Sequence, residues 1–287
     1  MEGEENLFKH LLLENDDDLA EEIKNITGYE FKDQHLLVQA FTHHSYVENC
    51  ESSYERLEYV GDSVLNLMVA EEHYLLYPDL QPGDLTRLRA ANVDTEKLAR
   101  AALKHQLHKF LRHNKPILAG QIKEFEEAVV KYPLHSWGLI DVPKALADIV
   151  ESFIGAIYID SNRSKDLTNK VQIRISNSQQ NLHAIALQIA KDLLRPMITP
   201  ESIQMHPVTM LYEICQNKGW KVHIKDMWSK KTGEIQVFVD GKFAGEGRYE
   251  GKKFIAVNRA AHDANQQIVR RLAQENTQCT SSPSCHL

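Results

Sequence analysis

Apolar positions at helical spacing dominate the first 160 residues of the chain. They recur at intervals of three and four, as in Leu19, Ile23 and Ile26, which places them on one face of an α-helix. Gly28 is suited to end this first helix, and Pro78 stops the longest one. The helices predicted in this way cover residues 19–26, 36–41, 54–77, 85–104, 121–130, 143–159 and 182–194. Most of the chain is therefore expected to be all-α.

The pattern changes after Pro196 and Pro200, which predict a linker. Beyond them the sequence predicts a helix over 208–216, strands over 221–225, 233–239 and 242–247, and a helix over 256–273. Asp240 and Gly241 lie between the last two strands and predict a tight hairpin turn. The order α-β-β-β-α predicts a small α+β module.

We therefore expect a multidomain chain. Its parts are an acidic flexible lead over 1–17, an all-α domain over 18–160, a polar insert, amphipathic helix and linker over 161–204, an α-β-β-β-α module over 205–275 and a polar tail over 276–287. Residues 161–181 are rich in Ser, Asn, Gln and Lys without any period. This composition predicts a surface loop or a partly disordered insert.

The charge of the chain is unevenly distributed. The net charge is −7, but residues 205–275 carry 12 Lys and Arg against 8 Asp and Glu, a net of +4. The remainder then carries −11. An acidic body with a basic C-terminal module indicates that binding and catalysis are separated.

Other features narrow the class of protein. No apolar run is long enough to cross a membrane, and residues 1–5 lack the pattern of a secretory signal. The sequence has no glycine-rich loop of the kind that binds nucleotides, so no nucleotide cofactor is expected. The scattered cysteines predict free thiols in a reducing compartment, and hence an intracellular protein of the nucleus or the cytoplasm. They are Cys50, Cys215, Cys279 and Cys285.

Carboxylates stand at helical spacing inside two apolar segments. Glu55, Glu58 and Asp62 form one stripe, and Asp148 and Glu151 share a face of a later helix. Buried carboxylates are costly unless they are paired or bind a cation, so convergence of the two sets favours an all-oxygen site for Mg²⁺ or Mn²⁺. Such a site suits phosphate chemistry. From spacing alone, ion pairs are an equal alternative, with partners among Arg56, Arg87 and Lys144.

Two runs carry a resemblance to a known family. Residues 55–65 read ERLEYVGDSVL and closely resemble the signature of the ribonuclease III family, the double-strand-specific endoribonucleases. Residues 144–158 read KALADIVESFIGAIY and are similar to the second acidic motif of that family. Residues 82–90 look like the plant dicer-like and ribonuclease-three-like branch. The resemblance covers roughly residues 18–160 and implies an all-α endonuclease domain.

The resemblance also implies roles for individual side chains. It implies metal binding by Glu58, Asp62, Asp148 and Glu151. Within this set, Asp62 and Glu151 are the implied catalytic residues. Glu55 matches a supporting acid, and Tyr59 matches an aromatic residue that contacts the partner subunit. The further acid that the family usually has between the two motifs is missing here, where Pro82 stands, with Asp84 close by. This departure bears on RNA positioning.

The C-terminal α-β-β-β-α module resembles a double-stranded RNA-binding domain. Such domains read the shape of the duplex through 2′-hydroxyls and phosphates. The resemblance implies a minor-groove contact for Glu213, a strand position for His223 and phosphate contacts for Lys252 and Lys253. Phe254 stands where a second lysine is expected, which implies weaker binding. A degenerate module that contacts protein is the alternative.

Together these resemblances imply a Mg²⁺-dependent endoribonuclease, with Mn²⁺ as a substitute. It would cut double-stranded RNA to 5′-phosphate and 3′-hydroxyl ends during processing of ribosomal or small-RNA precursors. One carboxylate cluster cuts one strand, so a homodimer is implied, and no membrane partner is expected. The alternative is a catalytically weak dimer that sequesters duplex RNA. The intact carboxylates weigh against it.

Overall fold

The structure is a computed structural model of the 287-residue chain. It describes residues 16–47, 52–162, 177–229 and 232–280. The chain forms two compact units. One comprises Met1–His135 and Val142–Ile203, and the other comprises Ser136–Asp141 and Gln204–Leu287. The segment Ser136–Asp141 therefore belongs with the C-terminal unit, although the predicted all-α domain, 18–160, includes it.

The regular elements of the first unit are helices. They are α1 (Asp16–Thr27), α2 (Gln34–Ala40), α3 (Glu55–Leu76), α4 (Pro82–Val93), α5 (Thr95–Lys104), α6 (Leu118–Val129), α7 (Lys144–Asn162) and α8 (Asn177–Leu194), with 3₁₀ turns at His44–Tyr46 and Leu107–Phe110. The predicted all-α character of this part of the chain is confirmed.

Helix α7 is the central element of this unit. It is apolar nearly all round, and it packs against α2, α3, α5 and α8. A helix with this pattern is stable only when it is surrounded by other elements. Phe153 is fully buried, and its ring lies 5.5 Å from that of Phe41. The acids on α7 are therefore placed at the edge of the core.

Several helix boundaries differ from the sequence prediction, and three of these differences change the predicted layout. The helix predicted over 85–104 is two helices, because Asp94 is extended and its side chain accepts a hydrogen bond from the Lys97 N–H at 2.8 Å. An aspartate in this position caps the helix that follows. Helix α1 begins at Asp16, inside the predicted lead. Helix α8 begins at Asn177, so the end of the predicted 161–181 insert is helical, while residues 163–176 lie outside the described residues.

The C-terminal unit has the predicted order of elements. They are α9 (Pro207–Lys218), β1 (Val222–Asp226), β2 (Glu234–Val239), β3 (Lys242–Arg248) and α10 (Lys253–Thr280), and the strands form one antiparallel sheet in the order β1-β2-β3. Asp240 and Gly241 have φ values of 47° and 75°, as the predicted hairpin turn requires. Helix α10 runs three residues before and seven residues beyond its predicted range.

Strand β3 lies unusually close to α10. A Cβ atom on Gly247 would be 2.2 Å from the Ala260 nitrogen, and one on Gly245 would be 2.4 Å from the Ala264 nitrogen. Small residues on both elements allow this approach. The alanine-rich face of α10 therefore forms the core of the module with Leu211 and other apolar residues.

Candidate active site

Two glycines bring the acidic helices α3 and α7 together. A Cβ atom on Gly61 would lie 1.7 Å from the backbone oxygen of Glu151, and one on Gly155 would lie 2.2 Å from the backbone oxygen of Leu57. The helices cross in direct backbone contact, which only glycine permits. Glu58 lies one turn before Gly61, so this crossing carries the acids of one helix onto those of the other.

Three of the predicted metal-binding carboxylates converge at this crossing. Oxygens of Glu58, Asp148 and Glu151 all lie within 4.8 Å of one another. Asp62 is exposed and stands outside this trio, although it lines the same cleft. Its Oδ1 accepts a hydrogen bond from Asn66 Nδ2 at 2.8 Å. The structure therefore brings three acids together and leaves the fourth beside them.

Lys144 supplies a positive charge to the trio. Its Nζ donates to Glu58 Oε1 at 2.9 Å and also to Asp148 Oδ1. Burial alone would lower the pKa of Lys144, but these carboxylates raise it above its usual value. The predicted ion-pair alternative is thus real for Lys144. A single lysine cannot neutralise three carboxylates, so the trio keeps excess negative charge.

The trio is electrostatically strained. Burial, and then the charges of Asp62 and Asp148, raise the pKa of Glu151 to about 8. Burial also raises the pKa of Asp148, although Lys144 opposes that rise. Both effects favour the protonated carboxyl group. At neutral pH the site therefore disfavours full ionisation of its acids.

Another buried acid on α7 shows how the chain satisfies a purely structural carboxylate. Asp160 is fully buried and accepts hydrogen bonds from the Tyr29 hydroxyl at 2.7 Å and from the Lys32 and Asp33 N–H groups at 2.9 Å each. Among the hydrogen bonds of the described residues, none is donated to the side chain of Glu151. The cost of burying Glu151 is therefore not offset by hydrogen bonds, as the cost of burying Asp160 is.

Glu55 is held away from the trio by two donors. Ser53 Oγ donates to Glu55 Oε2 at 2.6 Å, and His44 Nδ1 lies 2.7 Å from Glu55 Oε1. The bond from Ser53 is the main reason that the pKa of Glu55 is lowered. Glu55 therefore lines the cleft without joining the trio, and its supporting role stays a prediction.

The acids form one wall of an open cleft of 690 Å³. The residues that line it come mainly from α3, α7, the 3₁₀ turn near His44 and the loop that contains Lys115. Tyr54 also lines the cleft, and its hydroxyl donates to Asp148 Oδ2 at 3.2 Å. Carboxylates are the most numerous titratable side chains of this lining.

Tyr59 lies on the exposed side of α3. Its side chain is 77% exposed, and Leu67 and Tyr74, further along the same helix, are 69% and 73% exposed. Their spacing places them on one stripe of α3. Large side chains with apolar surface that are exposed along one face of a helix are typical of a contact surface.

The predicted RNA-binding residues are spread over the C-terminal unit. Glu213 is exposed on α9, and His223 is exposed on β1, where its ring lies 6.5 Å from that of Phe238. The Nζ of Lys252 is 2.6 Å from Asp141, and the Nζ of Lys253 forms an ion pair with Asp226. Phe254 is 56% exposed. Sequence reasoning missed both aspartate partners.

These features define a class: a helical domain whose cleft is lined by clustered carboxylates. Residues 55–162 match the family model of the ribonuclease III domain. Ribonuclease 3-like protein 3 of Oryza sativa subsp. japonica is 45% identical over 264 residues, which cover 91% of this chain and 82% of that protein. The chain belongs to the ribonuclease III family and is an endoribonuclease, a hydrolase.

Similarity extends to longer proteins. Endoribonuclease Dicer homolog 1 of Arabidopsis thaliana is 41% identical over 242 residues, which cover 82% of this chain but 12% of that protein. A crystal structure of the nuclease domain of ribonuclease III from Campylobacter jejuni is 27% identical and covers 62% of this chain and 97% of that chain, with a TM-score of 0.41. The chain thus spans most of one relative and a small part of another.

Proposed function

We propose that the chain is a divalent-metal-dependent endoribonuclease that cuts double-stranded RNA to 5′-phosphate and 3′-hydroxyl ends. The observation that carries this proposal is the trio of Glu58, Asp148 and Glu151 at the glycine crossing. Precursors of ribosomal and small RNAs contain such duplexes and are the proposed substrates. Mg²⁺ is the proposed cation, with Mn²⁺ as a substitute.

The residues of the cleft fit such a cation. Their donor atoms are carboxylate oxygens, which hard divalent cations prefer. Glu58 and Asp148 already hold the Lys144 ammonium between them, which shows that these carboxylates attract positive charge, and a bound metal ion would compete with Lys144 for them. The raised pKa of Glu151 has the same origin, because neighbouring acids and burial penalise its charge. Glu58, Asp62, Asp148 and Glu151 are the proposed ligands.

The side chains of the chain itself hold the site in shape. When bound, a divalent cation lowers the pKa of water and stabilises charge on a leaving oxygen. Tyr54 fixes the orientation of Asp148, and Ser53 and His44 fix Glu55. Asp62 and Glu151, on opposite helices, are the acids to which we assign the catalytic role.

The C-terminal unit is proposed to bind the RNA duplex. Glu213 and His223 are exposed, and Lys252 and Lys253 stand at the start of α10. The two lysines are exposed and paired with aspartates, and such surface pairs are weak. Phosphates can therefore replace their carboxylate partners at small cost.

A homodimer is proposed because one cleft has one carboxylate cluster, whereas a duplex has two strands to cut. The exposed stripe of Tyr59, Leu67 and Tyr74 on α3 supports a contact with a second copy. Aromatic residues in such a position commonly dominate the binding energy of an interface.

The experiment is incubation of the chain with long duplex RNA and Mg²⁺ or Mn²⁺. The unmodified chain is expected to produce short duplexes with 5′-phosphates, and Glu58→Ala and Glu151→Ala are expected to bind the same RNA without cutting it. Glu126→Ala, on an exposed helix face away from the cleft, is the control. Binding without cleavage by the unmodified chain would establish the alternative, a protein that sequesters duplex RNA.

A further inference from the structure

One wall of the cleft is formed by two segments that are far apart in the sequence and carry no carboxylate. They are the 3₁₀ turn His44–Tyr46 with the residues before it, and the loop 111–115 before α6. His43, His44 and Lys115 from these segments line the same cleft as the carboxylates. Its side chains in the cleft are histidines and a lysine, in contrast to the carboxylates on α3 and α7.

Backbone hydrogen bonds join the two segments. The His43 N–H donates to the Arg112 oxygen at 3.0 Å, and the Arg112 N–H donates to the Phe41 oxygen at 2.8 Å. Beyond this bridge, the Asn114 N–H donates to Ser45 Oγ at 3.0 Å. Lys115 follows directly. Its backbone is therefore held against the 3₁₀ turn, although its side chain is exposed.

The histidines of this wall are already engaged. His43 is buried, and burial together with the charge of Lys115 lowers its pKa to about 4. It is therefore neutral at physiological pH. His44 pairs with Glu55. Neither ring offers a free positive charge to a substrate.

Lys115 differs from the other lysine of the cleft. Lys144 is committed to Glu58 and Asp148. Among the described residues, no carboxylate forms an ion pair with Lys115. An RNA backbone that enters an acidic cleft is repelled by the carboxylates, and a lysine in the same lining without a carboxylate partner offsets that repulsion. Lys115 is such a lysine.

We propose that Lys115 binds a non-bridging phosphate oxygen of the RNA backbone in this cleft, beside the phosphodiester on which the carboxylates act. The bridge between the two segments holds the backbone that carries Lys115 in place before RNA arrives. The proposal rests on the proposed duplex-RNA function of the same cleft.

The test compares Lys115→Ala and Lys115→Arg with the matched control Lys123→Ala. Lys123 is an exposed lysine of the same unit on α6 and does not line the cleft. Equilibrium binding of a defined RNA duplex is measured in chelator over a series of salt concentrations, and kcat and KM are measured for the same duplex with Mg²⁺. Circular dichroism melting verifies the fold of each variant.

Lys115→Ala is expected to weaken binding about tenfold, as loss of one charge-assisted hydrogen bond does. The slope of log affinity against log salt should fall by about 0.9, the value for one phosphate contact. Lys115→Arg should restore the slope, because it keeps the charge. In the cleavage assay the loss should appear mainly in KM.

Equal affinity and equal salt slope for Lys115→Ala and Lys123→Ala would overturn the assignment. So would a loss of affinity that Lys115→Arg fails to restore, because that result indicates a structural role. If the unmodified chain binds RNA but does not cut it, the hydrolytic proposal is wrong, and the salt slope still decides the role of Lys115. If the chain does not bind the duplex, both proposals fall.

Discussion

Substitution of Gly61 by alanine tests whether the helix crossing builds the active site. The added Cβ would lie 1.7 Å from the Glu151 backbone oxygen, whereas an ordinary contact needs about 3.4 Å. The atom in the way is backbone, so it cannot rotate aside. Helices α3 and α7 must separate locally by about 1.7 Å, and Glu151 is displaced from Glu58 by a similar distance.

Two opposing terms set the effect of Gly61→Ala on stability. Overpacking a tight core costs about 1–3 kcal/mol. The higher helix propensity of alanine offsets about 1 kcal/mol of this cost in the free energy of unfolding. The net loss in the free energy of unfolding is therefore expected to be at most about 2 kcal/mol, so the variant still folds. Activity should fall far more, because a misplacement of about 1 Å in a catalytic group can cost about 100-fold in rate.

The assay measures initial rates of duplex cleavage beside urea unfolding of the same samples. Gly120→Ala is the matched control: Gly120 is also helical in the first unit, and a Cβ there meets nothing within 4 Å. It should gain about 0.4–1 kcal/mol in stability with unchanged rate. If Gly61→Ala retains more than about half of the activity, the crossing does not set the geometry of the carboxylates.

Three further predictions follow from the charges and the surface. Burial and neighbouring acids raise the pKa of Glu151 to about 8, so the metal-free protein should become less stable as the pH rises from 4.5 through 8. In urea unfolding, Glu151→Gln should make this decrease in the free energy of unfolding smaller by about 1–3 kcal/mol. Burial, and then Lys104, lower the pKa of Lys97 to about 8, so the folded chain loses this proton at a lower pH than the unfolded chain does. The free energy of unfolding of the unmodified protein should therefore rise by up to about 3 kcal/mol relative to Lys97→Met between pH 8 and 10.5. An unchanged difference between the two proteins would contradict this. Tyr59→Ala should convert a dimer to a monomer in analytical ultracentrifugation with unchanged circular dichroism, and a persistent dimer would exclude this contact.

Periodicity predicted most of the helices because the buried apolar residues of a helix recur at fixed intervals along the chain. The long helix before Pro78 and the strongly apolar α7 both lie within two or three residues of their predicted bounds. The break at Asp94 escaped prediction, because apolar spacing continues across it and the cap is formed by a side-chain hydrogen bond. The hairpin at Asp240 and Gly241 was predictable because so few residues accept its backbone angles.

The carboxylates were predictable from their residue types and their helical spacing. The wall of the cleft that carries Lys115 was not predictable. Thr42 and Arg112 form a bridge between segments seventy residues apart, and these backbone hydrogen bonds leave no side-chain pattern in a sequence. Lys115 gains its position from that bridge rather than from its neighbours along the chain. The ion pair of Lys252 with Asp141 was missed because the two residues are distant in sequence.

The glycine crossing joins stability and activity through one contact. Close approach of α3 and α7 buries the acids, and burial is the largest cause of the raised pKa of both Asp148 and Glu151. Asp160, on the same helix, has three hydrogen-bond donors instead. Loosening the crossing, as in Gly61→Ala, should cost both packing and geometry, whereas removing a buried charge, as in Glu151→Gln, should relieve the repulsion among the acids. For the charges themselves, stability of the metal-free chain and catalytic activity are thus expected to oppose each other, as they do where function requires buried like charges.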